Sequence, residues 1–239
     1  AGLCYAHEKY GKLRLERVLA PAIRLATEGF PADPHDVEVQ AEVLSEMDER
    51  PGLRERYPIL VDRYLRRGQP LKLGDKILSP QASVLQLISR NGAKAFYQGE
   101  VARAIVAAVE TNGKKWLSLE DLASYQPTER KALSGRIDGY DLITMPPPSS
   151  GGIALIEALN MLQAVERNHS GLRIATNTRQ APATLHVLTE VLKHAFADRA
   201  EFLGDPDYVL VPVDRLTSPE YAAILAKRIK LDVTLPSTA

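Results

Sequence analysis

The sequence predicts an α+β protein that is predominantly α-helical. Three observations carry this. Apolar residues recur at steps of three and four through most of the chain, the spacing that builds one buried stripe on a helix. One stretch, residues 133–145, alternates with the period of two expected of a strand. Proline and glycine fall between these periodic segments, where they end one element and open the next.

Taken in order, Leu15, Val18, Leu19, Ala22, Ile23 and Ala26 form the first stripe, and Gly29 follows as a natural helix stop. Pro21 lies inside the pattern and should kink the helix or start a second one. Asp33 and Pro34 suit the cap and first position of a helix over 33–47. Between 51 and 79, Pro51-Gly52, Pro58, Gly68, Pro70 and Gly74 break the pattern. Leu71-Lys72-Leu73 and Lys76-Ile77-Leu78 flank Gly74-Asp75 and predict a short β-ribbon. Ser79-Pro80 is expected to cap a helix buried through Val84, Leu85, Leu87 and Ile88 and stopped by Gly92. Helix resumes over 93–111 with an interruption near Gly99. Asn112-Gly113 reads as a turn, and Ser118 to Asp121 as a capping arrangement. In 133–145, Tyr140, Leu142 and Thr144 point one way and Asp141, Ile143 and Met145 the other. Pro146-Pro147-Pro148 ends that strand because proline has no N–H for a ladder. Helices follow over 153–166, 181–202 (stopped by Gly204-Asp205-Pro206) and 221–229 (opened by Ser218-Pro219). The tail from Thr234 reads as loose.

The chain has 239 residues, enough for one large domain or two small ones. Its 30 basic and 30 acidic side chains cancel, so nothing draws it toward phosphate backbones or anionic lipid, and no nucleic-acid partner is expected. No apolar run reaches the ~20 residues that span a bilayer. The opening Ala1-Gly2-Leu3-Cys4-Tyr5 has no basic-then-apolar leader character, so no targeting segment is expected within this sequence. The single cysteine, Cys4, rules out an intrachain disulfide and a multi-cysteine metal site. With His7 nearby it could be activated, but a small buried residue on a helix is the expectation.

The strand–Pro146-Pro147-Pro148-Ser149-Ser150-Gly151-Gly152–helix junction is the most unusual feature. The prolines hold the chain stiff, and the small residues let it turn with N–H groups exposed at a helix start, where an anion or carboxylate could bind. It lacks the Gly-Lys-Ser/Thr ending of a P-loop and is not a G-x-S-x-G elbow. A rigid connection needing small residues for close packing explains it equally well. His186, Glu190 and His194 share a helix face, but ligands spread over about 12 Å of helix axis cannot all meet one ion, so no metal site is assigned. Asp198, Asp205 and Asp207 could supply an acid and a base, although turn chemistry and an ion pair at Asp198 explain them more simply. Arg63, Arg66 and Arg67 read as a solvated face rather than an anion patch.

At Met145 to Gly152 the sequence resembles the signature of the γ-glutamyltranspeptidase family. The likeness extends in order through Ala1-Gly2, Lys9-Tyr10-Gly11, Ala20-Pro21-Ala22 with Glu28-Gly29-Phe30, Ala95 to Gly99, Leu119 to Leu122 with Tyr125, and Gly135 to Tyr140. It continues through Ala197-Asp198-Arg199, Leu203 to Pro206 and Tyr221-Ala222.

The resemblance implies a large-subunit part of an αββα N-terminal nucleophile hydrolase, spanning residues 1–239 as one partial domain. Such a protein is made as a precursor that cuts itself into two subunits. The family's nucleophile is the threonine that begins the small subunit, whose own amine serves as base. The implied substrates are γ-glutamyl peptides such as glutathione, with the acyl group passed to water or an acceptor amino acid or peptide. No cofactor is implied. The implied partner is the small subunit of the same precursor, and the implied location is periplasmic or secreted. The family's substrate-carboxylate arginine would align upstream of Ala1, and its threonine and glutamyl-gripping residues beyond Ala239, so no catalytic residue carries over; Thr238 is not that threonine. The proline-serine-glycine junction is expected to be a scaffold beside the active region. Two alternatives stand: a β-lactam side-chain acylase or capsule transpeptidase of the same superfamily, and a non-catalytic helical module that binds an anion at Ser149–Gly152.

Overall fold

A computed structural model describes residues 1–110, 114–169, 172 and 182–236. Its chain divides into two units, Ala1–Thr128 and Glu129–Ala239.

The first unit is helical, with one small ribbon. It runs α1 (Gly2–Tyr10), α2 (Leu15–Glu28), β1 (Phe30–Pro31), α3 (Pro34–Glu49), α4 (Leu53–Arg56), α5 (Pro58–Arg63), β2 (Lys76–Ile77), α6 (Ala82–Asn91), α7 (Lys94–Tyr97), α8 (Gly99–Val109) and α9 (Leu119–Ser124). Helix α2 runs unbroken through Pro21 and stops at Gly29, whose φ of 82° suits glycine. Asp33 and Asp36 form a reciprocal capping box at the start of α3, with Pro34 at its first turn. Ser118 and Asp121 do the same for α9. The interruption at Gly99 is present, with φ at 77°. Leu44, Met47 and Leu65 form a small core in which Val43, Leu53 and Val61 take part.

Besides the uninterrupted passage of α2 through Pro21, two expectations for this unit are corrected. Lys76–Ile77 pairs antiparallel with Phe30–Pro31, not with residues 71–73. The turn at Gly74-Asp75 exists, but its backbone is claimed by Ala32: Gly74 N–H donates to Ala32 O, and Ala32 N–H to Asp75 O, at 2.9 and 2.8 Å. Helix α6 begins at Ala82 rather than at Pro80, because the Ser79 hydroxyl accepts from Gln81 N–H and closes a tighter local turn. Asn112-Gly113 lies outside the described residues.

The second unit contains β3 (Leu133–Ile137), β4 (Tyr140–Thr144), α10 (Gly151–Asn168), α11 (Pro182–Phe202), α12 (Val213–Leu216) and α13 (Pro219–Ala226). The single long strand expected over 133–145 is an antiparallel hairpin, with Leu133 opposite Thr144 and Ile137 opposite Tyr140. Asp138 and Gly139 both have positive φ, 49° and 85°, the geometry of a two-residue hairpin turn. Helix α10 is the centre of the unit. Met161, Ala164 and Val165 pack with Val187, Val191 and Ala195 of α11 and with Ala222, Leu225 and Ala226 of α13. Ile153 packs with Val211 and Leu216 at the other end. Ile153, Met161, Val165, Val187 and Val191 are each fully buried, and each such side chain contributes about 1.5–3 kcal/mol. Ser218 caps α13 by accepting from Tyr221 N–H at 3.1 Å. The tail is not wholly loose, because Leu235 N–H donates to Glu190 at 3.2 Å.

Candidate functional site

The junction is built by strand β4, a proline turn and the start of α10. The peptide between Pro147 and Pro148 is cis. Ser149 N–H donates to Pro146 O at 3.2 Å, closing the turn. Helix α10 then leaves with Gly152 pressed against the end of the strand. A Cβ there would sit 2.1 Å from Met145 O and 3.0 Å from Thr144 Cγ2, a contact that no side chain could make without moving backbone. Gly151 meets only Ser149 Oγ, at 3.8 Å. The two glycines therefore do different work: Gly152 permits the close approach, and Gly151 borders open space.

Ser150 precedes α10 but does not cap it. Its hydroxyl instead accepts from Arg199 Nε at 2.8 Å. The first N–H groups of α10 carry no side-chain cap, and a guanidinium stands beside them. Both features favour negative charge near this helix start.

Behind the junction lies a polar chain inside the unit. Glu157 of α10 is 1 % exposed. Burial, a hydrogen bond to Asp198 and the charge of Asp198 push its carboxyl up to about 9, with Arg215 opposing. Asp198 Oδ2 accepts from the Tyr221 hydroxyl at 2.7 Å. Arg215 donates to the same hydroxyl at 3.2 Å and stacks over the Tyr221 ring, 4.5 Å from its centre. Burial and the bond to Asp198 raise the tyrosine as well. Beside this chain a groove of about 830 Å³ is lined by Lys193, Asp198, Phe202, Arg215 and Tyr221, among others.

The other sequence candidates are dispersed. His186 is held by Lys230 O at 2.7 Å, and Glu190 by Lys193 Nζ at 2.8 Å. His194 is lowered by burial and by Arg228. Among the described residues no group of three His, Cys, Asp or Glu side chains is placed to hold a metal ion. Asp198 engages the Tyr221 hydroxyl, at 2.7 Å. Asp205 Oδ1 accepts from Asp207 N–H at 3.0 Å, and Arg130 reaches both acids, at 3.6 and 2.6 Å. Arg66 and Arg67 pair with Asp75 and Asp62 at 2.5 and 2.7 Å. Cys4 is half-buried, and His7 turns to Leu13 O at 2.8 Å. Glu157, Arg215 and Tyr221 were not singled out by pattern reading. The available signal was Glu157 itself, a carboxylate at helical spacing from Ile153 and Met161 in an otherwise apolar row.

A predominantly helical α+β chain with a strand–triproline–Ser-Ser-Gly-Gly–helix junction defines a class of fold, and comparison with known proteins identifies it. The family model of gamma-glutamyltranspeptidase matches residues 1–239, and the chain belongs to that family. It is 35% identical to the glutathione hydrolase proenzyme of Escherichia coli strain K12, over 100% of this chain and 39% of that protein. It is also 35% identical to the acylase ACY 1 proenzyme of Pseudomonas sp. strain V22, over 92% of this chain and 37% of that protein. The crystal structure of Helicobacter pylori gamma-glutamyltranspeptidase superposes with a TM-score of 0.82 at 35% identity, covering 99% of this chain and 64% of that one. The fold expectation, part of an N-terminal nucleophile hydrolase, agrees with this neighbour. The chain thus spans under two-fifths of the length of these two curated relatives. No helix among the described residues is long and apolar enough to cross a membrane.

Proposed function

We propose that the protein carrying this chain is a γ-glutamyltransferase/hydrolase, and that residues 1–239 are part of its large subunit. The observation that supports this most is the match of the family model to every residue of the chain. In this reading a precursor cleaves itself, and the new N-terminal threonine of the small subunit is the nucleophile. Its hydroxyl oxygen attacks the γ-glutamyl carbonyl carbon, and its amine carries the hydroxyl proton to the departing amine. An acyl ester is left on the threonine. Water or the amine of an acceptor amino acid or peptide then displaces the threonine oxygen, which regains its proton. The γ-glutamyl donors are peptides such as glutathione, and the location is the periplasm or outside the cell.

The contribution of this chain is mechanical. Pro146, Pro147, Pro148, Ser149, Ser150, Gly151 and Gly152 form a scaffold beside the active region. Gly152 lets α10 abut the end of β4, and Arg199 fixes Ser150, so the start of α10 is held rigidly where small-subunit groups assemble.

The equal identity to an acylase proenzyme favours one second reading, an acylase that removes β-lactam side chains. Assaying the full-length protein with a γ-glutamyl anilide and with an acylated cephalosporin separates the two. The first reading expects anilide release with little deacylation. Deacylation alone supports the second, and binding of small anions without turnover of either overturns both.

A further inference from the structure

We propose that Glu157 stays protonated and donates that proton to Asp198, and that this bond ties α10 to α11 directly beneath the junction.

The geometry is specific. Glu157 is one of the largest fully buried side chains of the chain, yet it sits in a row with Ile153, Ile156 and Met161. Its Oε1 is buried without a hydrogen-bond donor among the described residues, and its carboxyl faces Asp198. The groups facing the pair come from each neighbouring helix. Asp198 and, further along, His194 lie on α11; Arg215 lies on α12; Tyr221 lies on α13. Strand β3 also packs on α10, but there it presents Gly135 to Ile156. Asp198 already accepts from the Tyr221 hydroxyl at 2.7 Å. A fully buried carboxyl in an apolar row does not stay charged beside a second, half-buried carboxylate when the nearest guanidinium acts through a tyrosine hydroxyl. Glu157 therefore keeps its proton and donates it to Asp198, which also accepts from the Tyr221 hydroxyl. The raised Glu157 carboxyl agrees with this direction.

The consequence reaches the junction through one peptide bond. Asp198 and Arg199 are consecutive on α11, one engaged with Glu157 and Tyr221, the other with Ser150. Glu157 is thus a positioning residue. It acts on the start of α10 only by fixing α11, and it releases that hold when the proton leaves.

The sign of the pH dependence follows. The folded state holds a proton that the unfolded chain gives up near the ordinary value of 4.5, so stability declines as pH rises from there toward about 9. The test is infrared spectroscopy of the full-length protein across pH, with thermal unfolding of the wild type and of Glu157→Gln. The wild type should show a protonated-carboxyl stretch at about pH 7.5 and lose about 5 °C or more of Tm between about pH 6 and pH 9. Glu157→Gln keeps a neutral donor to Asp198. It should lose the stretch and at least half of the Tm decline. If Glu157→Gln does not fold, Glu157→Met should lose the same band, and the wild-type band should titrate well above the ordinary carboxyl range. Absence of a protonated carboxyl in the wild type at about pH 7.5, or its survival in either variant, overturns the proposal.

Discussion

Gly152 faces Met145 so closely that a Cβ on it would lie 2.1 Å from the Met145 carbonyl oxygen. Gly151, its neighbour, has only Ser149 Oγ within reach, at 3.8 Å. Gly152→Ala should therefore destabilise the full-length protein by about 3 kcal/mol or more, because strand backbone rather than a flexible side chain must move. Gly151→Ala should change stability by no more than about 0.5 kcal/mol. Chemical denaturation of the two variants measures the contrast. Equal effects would contradict the different roles assigned to the two glycines.

Asn160 is buried on α10 and donates Nδ2 to Thr217 O at 2.9 Å, tying α10 to the turn between α12 and α13. Asn160→Ala leaves that carbonyl without its partner and opens a small void. The expected loss is about 1–3 kcal/mol, read from the denaturation midpoint at unchanged slope.

His194 is half-buried on α11, and burial and Arg228 hold it below its ordinary value of 6.5. Its folded form therefore resists protonation more than the unfolded chain does. Below about pH 6.5 the unfolded chain binds the extra proton, and stability falls as pH falls. His194→Gln should make this acid-side decline shallower in a Tm-against-pH series. It should leave the alkaline side, where Glu157 acts with the opposite sign, unchanged.

What could be read from the sequence was local. The cap at Asp33 with Pro34 behind it, and the capping arrangement of Ser118 to Asp121, depend on residues within three positions, and both stand in the structure. The junction of Pro146 to Gly152 was legible for the same reason. Pairing over distance was not. Lys76–Ile77 chose Phe30–Pro31 because backbone groups of Ala32 claimed the turn at Gly74, and no pattern within 71–78 contains that information. The hairpin at Asp138-Gly139 was missed although its turn residues are in plain view, because Leu133 to Met145 alternates well enough to read as one strand. The bond of Asp198 to Tyr221 links residues far apart in the chain. Only the packing of α10, α11 and α13 brings Glu157 to Asp198, so helical spacing could mark Glu157 as out of place but not name its partner.

The central claim is that this chain belongs to a self-processing γ-glutamyl enzyme, and it is tested most directly on the complete gene product. Purified full-length protein should resolve into two chains on a denaturing gel, with a threonine at the new N-terminus of the smaller one. In the same preparation it should release the amine from a γ-glutamyl anilide, faster when an acceptor dipeptide is added. A product that remains one uncleaved chain and releases no amine would contradict the account.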